Sequence, residues 1–176
     1  MEFLNAPVRV EELPRAEEMN LLPVERTYWL VLRWGWAITM LVLVAMATAL
    51  IVLVPELQNT NAIAMAGGGL LLIAVTWFFL QKKSFERKAY AIRDKDVIYR
   101  TGWVFQKIYT CPFNRIQNTT VTTGPFQRRY GLATLILYTA GANDADVHIP
   151  GLKEETARTL KEWITKKIAD EPASGL

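Results

Sequence analysis

The chain has 176 residues, 51% of them hydrophobic, and a formal net charge of +3. Its single cysteine, Cys111, and single histidine, His148, exclude an intrachain disulfide and zinc sites built from Cys and His clusters. Two long uncharged apolar runs exclude a purely soluble globular protein, and the short length excludes a large polytopic transporter.

Residues 1–25 hold three prolines and six glutamates without apolar periodicity, which predicts an irregular arm. Pro23-Val24-Glu25-Arg26 is expected to open the first helix, since proline is tolerated in a first turn. Trp34–Val54 is a run of 21 residues without a charge, and Ala62–Leu80 is a second of 19. A bilayer core about 30 Å thick needs roughly 20 helical residues, so both runs are long enough to cross it. The polar connection Pro55-Glu-Leu-Gln-Asn-Thr-Asn61 makes them a tight transmembrane hairpin.

Orientation follows from the basic flanks. The connection carries only Glu56, whereas Arg26 and Arg33 precede the first span and Lys82, Lys83, Arg87 and Lys88 follow the second. Both termini are therefore expected on the cytoplasmic side of the cell membrane. Tyr28, Trp29, Trp34, Trp36, Trp77, Phe78 and Phe79 gather at the same interface, where amphipathic rings prefer to sit. A signal peptide fits poorly: the first 28 residues hold six Glu against three Arg, and the apolar run is too long. Small residues recur at four-residue spacing, Ala45/Ala49, Ala62/Ala66 and Ala64/Gly68. Such spacing serves either packing within the hairpin or a docking face for another membrane subunit, with Ala64 and Gly68 as its candidate residues. Neither span holds an ionisable residue, which argues against an ion or proton pathway.

Residues 81–176 carry 16 basic and 10 acidic side chains and change to short β-type segments. Lys88–Arg93 and Val97–Arg100 flank the turn Asp94-Lys95-Asp96. Thr101-Gly102 leads into a predicted strand over Trp103–Cys111, then one over Arg115–Thr123 ending at Gly124-Pro125. Leu132–Thr139 is the most apolar and is expected to be central. A turn at Ala140–Asn143 and a strand at Val147–Ile149 complete a small antiparallel sandwich or barrel. Pro150-Gly151 then introduces a helix over Lys153–Ala169, whose stripe Ala157, Leu160, Ile164 and Ile168 suits a lid on the sheet. The predicted organisation is an arm over 1–25, a hairpin over 26–83 with spans near 29–54 and 62–80, a β domain over 84–169, and a flexible tail over 170–176.

The segment Pro112-Phe-Asn-Arg-Ile-Gln-Asn118 resembles the P-x-x-R-I-Q segment of the bacterial pleckstrin-homology (PH) domain of the second type, found in YdbS-like membrane proteins. Gln127-Arg-Arg-Tyr-Gly-Leu-Ala-Thr134 and Ile149-Pro-Gly-Leu152 resemble that family's later segments in the same order, and Tyr28-Trp29 with Arg33 its lead into the first span. The resemblance covers about residues 20–169. It implies a membrane α-hairpin followed by a mainly-β PH-like domain: two packed antiparallel sheets, about seven strands, closed by a C-terminal helix. It further implies a small membrane protein without catalytic activity, partnered by a longer membrane protein with several such domains. It supplies no ligand.

Phosphoinositide-binding PH domains carry a basic first hairpin loop, but here that loop is the net-acidic Asp94-Lys95-Asp96. Arg26, Arg33, Lys82, Lys83, Arg87 and Lys88 are instead expected to orient the domain on anionic lipid, each worth about 1 kcal/mol near the surface. Arg115 and Gln117 alternate with Ile116 and either bind a partner or fix a strand edge. Arg128 and Arg129 form either a basic contact loop or a solvated one. Asp94/Asp96 and Asp144/Asp146 are short-spaced acidic pairs on predicted turns, where Asp is common. No catalytic residue, metal site or cofactor is predicted. Two functions compete: an interaction module assembling with another membrane protein or with itself, and a sensor of anionic lipid.

Overall fold

The computed structural model describes residues 20–139 and 146–170. Residues 1–19 of the arm, the expected turn at Ala140–Asn143, Asp144, and the tail from 171 lie outside the described residues. The elements are β1 (Leu22–Pro23), α1 (Tyr28–Leu53), α2 (Thr60–Glu86), β2 (Ala89–Ile92), β3 (Asp96–Thr101), β4 (Lys107–Pro112), β5 (Ile116–Thr122), α3 (Pro125–Arg129), β6 (Leu132–Thr139), β7 (Val147–Lys153) and α4 (Glu154–Asp170).

The two apolar runs form α1 and α2, of 26 and 27 residues, both long and apolar enough to cross a membrane. None of either helix's apolar window is buried inside the protein, which distinguishes them from core helices. Pro55 stops α1 and opens a 3-10 turn; Asn59 then caps α2, its Oδ1 accepting from the Ala62 N–H at 2.8 Å. Ala62, Ala66, Leu70, Ala74 and Phe78 are the half-buried residues that recur every fourth position along α2. At the base, Phe78 lies between Trp29 (5.4 Å) and Trp36 (5.5 Å), both edge-on. Ala64 and Gly68 are exposed, so the small residues divide between an inner and an outer face.

The β domain has a four-stranded sheet, β1-β2-β3-β4, and a three-stranded sheet, β5-β6-β7, all antiparallel. Alternation aims Val97, Tyr99 and Cys111 inward from the first sheet and Leu135, Leu137 and Ile149 from the second. Phe113 and Ile116, from the Pro112–Asn118 segment, are buried in the core between the sheets. The lid helix α4 inserts Ala157 and Ile164, with Leu160 and Ile168 partly buried, and Trp163 meets Phe113 edge-on at 5.5 Å. Two antiparallel sheets closed by a C-terminal helix are a PH-like fold.

Four expectations are corrected. Residues 22 and 23 are not irregular: Leu22 pairs with Tyr90 and Pro23 with Ala89, so a strand from before the hairpin completes the first sheet. Helix α1 begins at Tyr28 rather than at Pro23, because Pro23 and Val24 are held in extended pairing to β2, with the Val24 N–H on the Lys88 carbonyl at 3.3 Å. Residues 103–106 are a hairpin loop, and β4 starts only at Lys107, because Gly102 turns the chain at φ +86°. Pro150 and Gly151 lie inside β7 instead of opening α4.

Candidate functional site at the hairpin-facing rim

Strand direction sorts the loops into two rims. β2 leaves the end of α2, so the β2–β3 turn and the Phe113–Arg115 turn fall at the far end. The β3–β4 loop, α3 and the Pro150–Lys153 end of β7 return to the hairpin. The acidic Asp94-Lys95-Asp96 loop is therefore on the far rim, where Arg93 and Asp96 pair with each other.

The near rim grips α1 at its centre. Gly151 has φ +73°, and a Cβ there would stand 2.6 Å from Tyr28 Cγ and 2.8 Å from its Cβ. Only glycine leaves room for Tyr28 this close to β7. The Glu25 N–H donates to the Gly151 carbonyl at 2.9 Å, and Lys153 faces Glu25 at 3.9 Å. Tyr28 is thus a buried core residue rather than part of an interfacial belt.

On one side of this joint sits α3. Gln127 fixes it from both ends: Oε1 accepts from the Gly124 N–H at 3.1 Å, and Nε2 donates to Thr134 Oγ1 at 2.9 Å. Phe126 stacks on Trp34 at 6.2 Å and 9°, and the Trp34 indole N–H donates to the Tyr130 hydroxyl at 3.0 Å. A groove of about 400 Å³ opens between them, lined by Leu30, Arg33, Trp34, Trp36, Ala37 and Tyr130. Gly131, at φ +63°, offers its carbonyl to the Glu154 N–H at 3.0 Å and so joins this corner to α4.

The opposite corner is the β3–β4 tip. Trp103, Val104 and Phe105 are 41%, 63% and 82% exposed. A second groove, of about 500 Å³, separates the tip from α2 and is lined by Val75, Thr76, Phe79, Leu80, Lys83 and Trp103.

The predicted cations part company here. Arg26, Arg33, Lys82, Lys83 and Arg87 are exposed around the base of the hairpin, with Lys83 also 3.4 Å from Glu86. Lys88 is not among them: it is half-buried, and its Nζ donates to Thr101 Oγ1 at 3.0 Å and reaches the Tyr99 hydroxyl at 3.4 Å. Burial pushes its pKa down, because desolvation disfavours the charged form. Arg128 and Arg129 are exposed on α3 at the near rim, while Arg115 and Gln117 are exposed at the far one. These two pairs do not form one surface. Cys111 is buried, and His148 is exposed on β7. Among the described residues, no group of three or more His, Cys, Asp or Glu comes together as a metal site. The Trp103–Phe105 tip was missed by sequence reasoning, although an aromatic-rich triplet directly after Thr101-Gly102 was its signal.

These features define a PH-like β domain locked onto a two-helix apolar hairpin. The chain matches the family described as Bacterial PH domain over residues 23–168, and it belongs to that family. The match begins at Pro23, within β1, and so takes in the hairpin as well as both sheets. Neither the curated proteins nor the solved structures provide a match.

Proposed function

We propose that this protein is a non-enzymatic, membrane-anchored interaction module of the YdbS-like kind, which assembles with another membrane protein at the cytoplasmic face. The observation that carries this reading is the clamp on both ends of the hairpin. β1 and Tyr28 hold the start of α1, and β2 follows α2 after two residues, so the PH-like domain keeps a fixed orientation to the bilayer. A domain held this way presents its far rim, with Arg115 and Gln117, to partners in solution. It also leaves the outer face of α2, with Ala64 and Gly68, to partners in the membrane. A longer membrane protein with several PH-like domains is the partner this arrangement suits, and a second copy of the chain is the simpler variant. Basic flanks at Arg26, Arg33, Lys82, Lys83 and Arg87 support a cytoplasmic placement of both termini.

The test is affinity capture of the full chain from lightly crosslinked native membranes, followed by mass spectrometry. A stoichiometric membrane partner is expected, and replacing both Ala64 and Gly68 with Leu should lose it. Recovery of the chain alone would sink the assembly reading. A second reading, binding of anionic lipid, is favoured by one feature: the Arg33 groove combines a cation with indole and phenol rings beside Arg128 and Arg129. Flotation of the reconstituted chain's domain face cannot separate it from the anchor, so the discriminating measurement is lipid co-purification with Arg33→Gln against the natural chain. Unchanged lipid content would count against it.

A further inference from the structure

We propose that the β3–β4 tip, Trp103-Val104-Phe105, is a wedge that inserts into the bilayer leaflet beside α2. The proposal rests on the reading of α1 and α2 as membrane spans. Three apolar side chains at a hairpin tip, the outermost 82% exposed, contribute nothing to the core of the β domain. In water they are a liability; in lipid they are an anchor.

Position selects lipid as the occupant. Trp103 of the tip shares its groove with Val75, Thr76, Phe79 and Leu80, which all belong to the uncharged run of α2, not to the polar stretch after it. Thr76 lies seven residues before Lys83, or about 10 Å along a helix axis. Amphipathic segments bury their apolar face roughly 5–10 Å into the headgroup and acyl boundary, which is the same depth. The flanking charge agrees: Lys83 lines the groove beside the wedge and Lys107 follows the tip in the chain, both exposed, so that their ammonium groups meet lipid phosphates while the rings pass beneath them. The groove between Trp103 and α2 is mostly apolar, with Thr76 and Lys83 as its polar lining side chains, which suits an acyl chain whose phosphate meets Lys83.

Geometry also fixes the tip. Gly102 is at φ +86°, and a Cβ there would lie 2.0 Å from the Phe105 carbonyl oxygen, so the loop is a tight turn with its side chains thrown outward. Together with Phe126 and Trp34 on the α1 side, the wedge gives the domain two aromatic footings, one on either side of the hairpin. Both footings add to the clamp at β1 and Tyr28 in holding the far rim at one height above the lipid.

The experiment uses the full chain with Cys111→Ala, reconstituted in vesicles of phosphatidylcholine and phosphatidylglycerol. Spin labels are attached at Phe105→Cys, at Leu72→Cys on the exposed face of α2, and at Asn114→Cys on the far rim. Power saturation with oxygen and with a water-soluble nickel chelate reads the depth of each. The Phe105 label is expected to favour oxygen, as the Leu72 label does, while the Asn114 label favours the chelate. Adding Val104→Glu should abolish the oxygen preference at 105 and leave the circular dichroism of the domain unchanged. If position 105 reads as water while 72 reads as lipid, the wedge is wrong and the span stands. Shielding of 105 from both reagents would mean that protein covers the tip and would likewise overturn the wedge. A Leu72 label in water would overturn the span and the wedge with it.

Discussion

Replacing Gly151 with alanine isolates the joint between α1 and the β domain. The added Cβ would stand 2.6–2.9 Å from three atoms of Tyr28, closer than side-chain carbons ever pack, and residue 151 is at φ +73°. The left-handed backbone alone costs an L-residue roughly 1–2 kcal/mol. Forcing the buried Tyr28 ring away from β7 is overpacking, which costs about 1–3 kcal/mol. The sum is about 2–5 kcal/mol, enough to lower the unfolding midpoint of a domain this size by about 8 °C or more. Near-UV circular dichroism of the full chain in mild detergent follows the transition, and amide exchange in β6 and β7 localises it. Shortening Tyr28 to Ala removes the ring atoms but leaves its Cβ, 2.8 Å from the added one, so the clash is relieved in part. Gly151→Ala combined with Tyr28→Ala should therefore cost about 1 kcal/mol less than the two single losses together. A Gly151→Ala midpoint within about 2 °C of the natural chain would refute the argument, since ~1 kcal/mol moves such a domain 4–8 °C. Strict additivity in the cycle would refute its steric half.

Gly102→Ala should disturb only the β3–β4 hairpin, because its clash is with the Phe105 backbone: amide exchange should rise in β3 and β4 and stay unchanged in β6 and β7. Gln127→Ala removes the acceptor for the Gly124 N–H and the donor to Thr134, so a loss of about 1–2 kcal/mol is expected, with faster exchange at the Gly124 amide as its signature. Burial pushes the Tyr99 phenol up to about 12, with the Thr101 hydrogen bond acting in the opposite direction. The folded state then holds a proton that the unfolded chain loses near pH 10. This contribution, about 2–3 kcal/mol, is whole below pH 10 and is lost as the pH rises through about 12. Lys88 beside it is shifted down by burial, a cost relieved as the pH climbs toward its ordinary 10.5, so it opposes Tyr99 only at the lower edge of that window. Urea midpoints should fall less steeply between pH 10 and 12 in Tyr99→Phe than in the natural chain, and parallel curves would refute the assignment.

Long-range pattern was legible and local exceptions were not. Two uncharged runs separated by a polar seven-residue connection fix two helices whatever the tertiary context. The strand over Leu132–Thr139 and the stripe Ala157, Leu160, Ile164 and Ile168 were equally plain, because their periods differ. What escaped was decided by single residues in context. A two-residue strand at Leu22–Pro23 leaves no periodicity to detect. Trp103-Val104-Phe105 has the composition of a buried strand, and only the φ of Gly102 makes it a tip. Tyr28 and Lys88 sit in sequence among the aromatics and cations expected at the interface, yet β7 covers the first and β3 takes the second. Pro150-Gly151 reads as punctuation before a helix, although its glycine makes room for the Tyr28 ring at the start of α1.

The same exceptions give the hairpin its mechanical role. A domain hung on one end of a helix pair can swivel, because one short linker has two soft dihedrals per residue. Here the chain enters the β domain at β1, leaves it through Tyr28 into α1, and re-enters at β2, directly beside β1 in the same sheet. Separating the α1 and α2 bases would break the Leu22–Tyr90 and Pro23–Ala89 pairing and pull Tyr28 out of the core. Displacing the sheet would likewise shift Trp29 and Phe85 at the base of the pair, 5.7 Å apart. Any partner that changes the helix crossing therefore acts on β1, and through it on the first sheet. The coupling runs both ways, since a ligand on the sheet that favours one β1 position favours the corresponding helix spacing by the same free energy.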